Sequence, residues 1–244
     1  MTKRLIISAM LLFAGISLSA ENTEKATDSV NYTEATQASS VKTKWRAPFS
    51  DNWTLSISAG GQAYLGEHYS AVKKSSLIVP SASIELGKWF APWIGARAGV
   101  NGFMAKGVSP SYHVTDNPVK RKADTPHWLK DQRFPYFNAH IDLMGNLSNL
   151  FAGYKEGRRF HVIGAIGPGI AYTWDDPATS SFSLNGSLFG TYALSNKIDL
   201  KFGADAMMVN ENFDGDAGGR KIEGAGAVTV GIVWHISDKG WSPK

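Results

Sequence analysis

The sequence predicts an all-β protein, a transmembrane eight-stranded antiparallel up-and-down β-barrel, on three observations. Eight stretches alternate apolar with small or polar residues at a period of two, the mark of strands with two unlike faces. The polar set includes charges of both signs while the apolar set is aliphatic and aromatic, so the barrel is inside-out. An N-terminal export signal is followed by no apolar run long enough for a spanning helix. Only a helix or a closed barrel satisfies every backbone polar group in hydrocarbon, so a membrane protein built from strands must close on itself.

The first strand runs from about Trp53 to Tyr64, with Trp53, Leu55, Ile57 and Ala59 outward and Thr54, Ser56, Ser58 and Gln62 inward. The second, Ser81 to Phe90, turns Ala82, Ile84, Leu86 and Phe90 outward and Ser83 and Glu85 inward; Ala91-Pro92 is a tight turn. The third, Trp93 to Met104, places Arg97 and Asn101 inward, and a long polar loop from Ala105 to Pro135 follows. In the fourth, Tyr136 to Leu147, Asn138, His140, Asp142 and Asn146 face inward. A compact connection, Ser148 to Gly157, leads to the fifth, Arg159 to Trp174. Pro168 lies inside it. Proline cannot donate to a ladder and a closed barrel has no free edge, so a bulge or local distortion is expected there. The sixth strand spans Ser181 to Tyr192. The seventh, Ile198 to Val209, has Asp199, Lys201 and Asp205 inward, and the eighth, Ile222 to Ile236, has Glu223, Thr229 and His235 inward.

Compartment follows from the N-terminus. Lys3 and Arg4 precede an apolar run from Leu5 to Leu18, with Ser19-Ala20 as small residues for cleavage, so residues 1–20 read as a secretory signal. Residues 21–50 read as a flexible periplasmic segment, 51–241 as the barrel and 242–244 as a tail. Cysteine is absent, which excludes disulfides and a lipidated N-terminal Cys. Without Lys3 and Arg4, 23 basic residues face 21 acidic ones, a balance that points to no nucleic-acid partner. Short connections around Ala91, Ser148 to Gly157 and Ser195 alternate with longer ones, Leu65 to Pro80, Ala105 to Pro135 and Asn210 to Lys221, although the fifth connection, Asp175 to Ser180, is brief. Outer-membrane barrels keep short turns inside and long loops outside, so both termini are expected in the periplasm.

The candidate functional residues are luminal. Glu85, Arg97, Asp142, Lys201, Asp205 and Glu223 carry both signs on the inward face, and eight strands leave only room for side chains to fill. Charges removed from water must be paired, so a packed ionic core is expected, with a narrow or gated pore as the alternative. Glu85 and Arg97 lie on neighbouring strands and should meet, with Asp142 beside Arg97; removing one should cost more than replacing Glu85 and Arg97 together by leucine.

Catalysis is not expected. His140, His161 and His235 face inward and the outward face carries no Ser-His pair, whereas a lipid-modifying enzyme needs its nucleophile and base near acyl chains. No two of the six histidines have metal-ligand spacing, so no metal or other cofactor is expected. Gly167-Pro168-Gly169 and Gly224-Ala225-Gly226 lie inside strand patterns and do not complete a dinucleotide loop. Phe213 to Arg220 lacks the distal Glu of a calcium loop. Lys120-Arg121-Lys122 is a solvated charge run or a surface contact for anionic lipopolysaccharide.

With these readings in place, the chain resembles the eight-stranded barrel of OmpA-like outer-membrane proteins over about Asp51 to Trp241. The resemblance rests on Leu86-Gly87-Lys88-Trp89-Phe90, on Asn146-Leu147-Ser148-Asn149-Leu150-Phe151 with Gly153-Tyr154, and on Phe213-Asp214-Gly215 with Gly218-Gly219-Arg220-Lys221. The terminal Gly231, Trp234 and Ile236 are similar to the signal that barrel assembly machinery reads in a last strand. The resemblance implies an integral protein of the Gram-negative outer membrane, among its lipid and lipopolysaccharide, with a role in envelope integrity or surface interaction. Its members often append a peptidoglycan-binding domain; this sequence stops at Lys244, so cell-wall tethering is not carried over. A soluble exported ligand-binding barrel is disfavoured, because it would need the opposite polarity of its two faces.

Overall fold

A computed structural model describes residues 45–66, 68–110, 113–116, 119–175, 178–214 and 222–243. The predicted signal and most of the predicted spacer lie outside these residues, as does the loop from Gly215 to Lys221. Eight antiparallel strands close into one barrel in sequence order. They are β1 (Trp53–Leu65), β2 (Ile78–Ala91), β3 (Ile94–Ser109), β4 (Lys130–Asn146), β5 (Phe160–Thr173), β6 (Thr179–Ala193), β7 (Ile198–Asn210) and β8 (Ile222–His235). β8 returns to pair with β1, which removes both edges.

The stagger of the barrel can be counted along one row of paired residues. From Trp53 the row passes Lys88, Ala96, Leu143, Ile166, Gly186, Ala206 and Gly226 and re-enters β1 at Ala63, ten residues further on. Such a shear tilts the strands and lets some overhang their neighbours.

The overhang explains two prolines that the sequence reading left in loops. Pro80 belongs to β2 and pairs with Gly61 of β1, but the β2–β3 ladder begins only at Ser81. Pro135 belongs to β4 and pairs with Met104 of β3, but the β4–β5 ladder begins only at Tyr136. Each proline therefore sits where its strand is paired on one side, as an edge residue would be. The third connection is correspondingly shorter than expected, because β3 continues to Ser109 and β4 starts at Lys130.

Pro168 behaves as anticipated, as a local distortion. Ladder pairing between β4 and β5 stops at His140 with Gly169 and resumes at Leu143 with Ile166, in the same register. On its other side Pro168 keeps its place opposite Leu184. The bulge lies elsewhere, at Phe90, where β2 shifts by one residue against β3.

The inward and outward sets follow the predicted alternation. Ile57, Ile84, Ile141, Ile166, Phe182, Val228 and Val230 are exposed, while Ser56, Glu85, Arg97, Asp142, Asn185 and Lys201 are buried. Phe103 is an exception to strand alternation: opposite luminal Tyr136, it is nevertheless 58% exposed. Gly102 and Phe103 both have positive φ, 133° and 145°, which turns the Phe103 side chain out onto the apolar exterior.

At the short-turn end, β4 runs into a helix α1 (Leu147–Ala152). Asn146 caps it by accepting from the Asn149 N–H at 3.0 Å, and Gly153 ends it with φ of 67°. Asn149 donates to the Pro92 carbonyl at 2.6 Å and accepts from Arg158 at 3.0 Å, which ties two turns together. Both ends of the barrel strand set exit here. Trp45–Arg46 pairs antiparallel with Ser242–Pro243, so part of the segment drawn as spacer and part of the tail form a small clasp. Phe49 packs edge-on against Trp53 at 5.8 Å, so residues before Asp51 pack on the barrel's end.

Candidate functional site: a cross-braced lumen

The inward positions build up in layers. From the short-turn end a cavity of about 1060 Å³ enters the lumen, lined among others by His161, Asp199, His235, Lys239 and Lys201. In its wall the His235 ring lies 2.9 Å from Asp199, Lys239 stands 3.7 Å from the same carboxylate, and Asn146 lies 3.1 Å from His161. An apolar shelf of Met144, Ile163, Ala165 and Phe189, with Trp89 against it, narrows the passage.

On that shelf stands the ionic layer. Arg97 of β3 uses its whole guanidinium: Nε donates to Asp142 of β4 at 2.7 Å, Nη1 to Glu85 of β2 at 3.0 Å and Nη2 to Ser187 of β6 at 2.7 Å. Lys201 of β7 donates to the other oxygen of Glu85 at 2.6 Å and to Ser56 of β1 at 3.3 Å. His140 Nδ1 lies 3.0 Å from Asp142. Both cations also sit over the Phe189 ring, at 5.4 Å for Arg97 and 4.8 Å for Lys201. Two cations thus share two carboxylates. Such charge-assisted bonds are the strong ones, and removed from water they are tolerated because each charge is met.

Toward the long loops, Asn138 bonds Asn101 at 2.8 Å, Asn185 at 2.7 Å and Ser183 at 2.6 Å. Gln62 follows, accepting from Tyr136 at 3.0 Å. The far end is closed by Tyr64, Phe134, Tyr136 and Phe213, all 3% exposed or less. Phe213 enters from the last long loop and contacts three of these rings edge-on or tilted. Tyr64 also bonds Glu223.

Four of the six predicted network residues, Glu85, Arg97, Asp142 and Lys201, therefore form one cluster. Asp205, four residues along β7 from Lys201, is half-buried and accepts from Thr229 at 3.0 Å. Glu223 does not join that layer: it lies eight residues along β8 from Gly231, the partner of Lys201, and meets Tyr64 at the closed end. The strand stagger separates residues that share a face. His140 and Ser187 were missed as members; His140, two residues from Asp142 on the same face, could have been found by spacing. Trp89 and Phe189 broke the rule that inward means polar.

The predicted assembly residues divide. Trp234 and Ile236 are exposed at 48% and 44% on the outer face. Gly231 faces inward, and a Cβ there would fall 2.1 Å from the Ile57 carbonyl oxygen, so the β8–β1 seam itself requires glycine. The Lys120-Arg121-Lys122 run is partly structural. Arg121 bonds Asp131 at 2.9 Å and the Leu129 carbonyl at 2.6 Å, while Lys120 and Lys122 are exposed.

No family model matches the chain. It is 27% identical over 206 residues to Outer membrane protein 40 of Porphyromonas gingivalis (strain ATCC BAA-308 / W83), covering 79% of this chain and 49% of that protein. Outer membrane protein 41 of the same organism is 22% identical over 211 residues, covering 78% of this chain and 49% of that protein. An apolar exterior around a polar closed barrel, in a chain with these two relatives, decides the class. It is an eight-stranded outer-membrane β-barrel that resembles the OmpA-like type. The barrel sits in the outer membrane of a Gram-negative cell. It spans about half the length of the curated relatives it matches. Among solved structures, Neisserial surface protein A aligns with a TM-score of 0.48 at 10% identity, over 76% of this chain and 97% of that one.

Proposed function

We propose that this OmpA-like barrel is a non-catalytic, non-conducting element of the envelope, with both termini and the short turns in the periplasm and the long loops at the cell surface. One observation carries the reading: Arg97 crosses the lumen and is bonded at once to β2, β4 and β6. A solute would have to break those bonds and then displace the fully buried Phe134 and Phe213 at the loop end. The orientation is supported by the end at which the short turns and both strand termini gather. Insertion through the barrel assembly machinery is supported by outward Trp234 and Ile236 at the end of β8.

The test is bilayer recording on the folded full chain. Closed traces punctuated only by rare brief openings are expected, whereas steady large-conductance channels replace the reading by a pore. The cavity at the short-turn end gives the pore its one structural argument, since it reaches inward as far as Glu85, Arg97 and Lys201.

A further inference from the structure

The first and third long loops are joined into one body. Val72 and Arg121 form an antiparallel bridge, flanked by the Lys73 N–H to the Lys120 carbonyl at 2.8 Å and the Lys122 N–H to the Ala71 carbonyl at 3.0 Å. Successive side chains of such a ribbon point to opposite faces. One face carries Val72, fully buried against Leu77, Val108, Val119 and Leu129, and Arg121, engaged by Asp131. The other face carries Lys73 directly across from Lys120, with Lys122 across from Ala71. All three lysines are exposed.

Like charges directly opposite each other destabilise a strand pair. Among the described residues neither Lys73 nor Lys120 has an ion pair, and the Lys122 ammonium reaches only the Ser70 carbonyl at 2.5 Å. The nearby Asp131 is taken by Arg121; Asp124, two residues past Lys122, is exposed and makes no ion pair among the described residues. The repulsion is left for an external anion to relieve. Position says which one. Ile78, the first residue of β2, is 62% exposed on the apolar exterior, and Lys73 lies five residues before it, at the long-loop end of the barrel. Trp128, 57% exposed and edge-on to His68 at 5.4 Å, gives the same body an interfacial aromatic.

We propose that Lys73, Lys120 and Lys122 form a platform for the phosphorylated sugar head of outer-leaflet lipopolysaccharide. It rests on the orientation argued above, not on the lumen being closed. Lysine suits the role as a compact point charge for a phosphate. The experiment titrates the folded full chain in detergent with purified lipopolysaccharide and with the same material after chemical dephosphorylation. Lys73→Gln, Lys120→Gln and Lys122→Gln are combined, with heat-modifiable gel migration as the folding control. About fivefold is expected per lysine removed, on the order of a hundredfold for the triple variant, with a similar loss for the dephosphorylated glycolipid and weaker binding in salt. Equal affinity of the folded triple variant overturns the platform, as does equal affinity for dephosphorylated material, or lysine-dependent capture of a soluble sulfated oligosaccharide where lipopolysaccharide is ignored. An epitope at Asp124 that stays unlabelled on intact cells overturns the orientation, and with it the outer-leaflet partner, even where binding in detergent persists.

Discussion

Arg97 on β3 donates to Ser187 on β6 at 2.7 Å, a bond that spans the barrel between strands that are not neighbours. Lys201 of β7 reaches Glu85 of β2 in the same way at 2.6 Å. These braces turn a tube of ladder bonds into a cross-linked body, and they set which substitutions can be made together.

Arg97→Ala should cost about 3 to 5 kcal/mol, because it strands Asp142 and half of Glu85 in a buried site. The pairing expected from sequence alone would make the double change Glu85→Leu with Arg97→Leu milder. The structure reverses that: Lys201 loses Glu85 and Asp142 loses Arg97, so this double should be no more stable than Arg97→Ala. Glu85→Leu with Lys201→Leu leaves Arg97 and Asp142 as a matched pair and should be more stable than Glu85→Leu alone. Urea midpoints of the folded barrels decide the order.

Gly231→Ala should impair closure, since the added methyl falls on the Ile57 carbonyl oxygen at 2.1 Å. Overpacking of this kind costs about 1–3 kcal/mol and more where backbone cannot move. Gly226→Ala on the same strand is the control, as its Cβ meets nothing within 4 Å. A heat-modifiable fraction that drops for both variants alike would show that β8 tolerates no alanine and that the seam is not the reason.

Trp234→Ala with Ile236→Ala should slow membrane insertion while leaving the luminal bonds intact, because both side chains lie on the outer face. Pulse-chase of the folded form measures it. Unchanged insertion kinetics would remove these residues from the assembly signal.

An epitope inserted at Asp124 should be labelled on intact cells and one at Asn196 only after permeabilisation. Asp124 is in the third connection and Asn196 in the short turn between β6 and β7, at opposite ends of the barrel. Labelling of Asn196 on intact cells would invert the orientation.

The alternation of residues determined, without any structure, that there are eight strands and which face of each is outward, because a period of two leaves a strand no other way to sort Ile84 from Glu85 or Ala96 from Arg97. It also located Pro168 as the point of distortion. What it could not hold is the stagger between strands. The ten-residue shear decides that Arg97 meets Ser187, that Glu85 serves two cations and that Glu223 meets Tyr64. It leaves Pro80 and Pro135 on overhangs. Likewise Lys120-Arg121-Lys122 is one charge run in the sequence, but alternation within a ribbon formed with residues almost fifty positions earlier sends Arg121 inward and the two lysines out. Those partners are long-range, and register between distant segments is set only when the barrel closes.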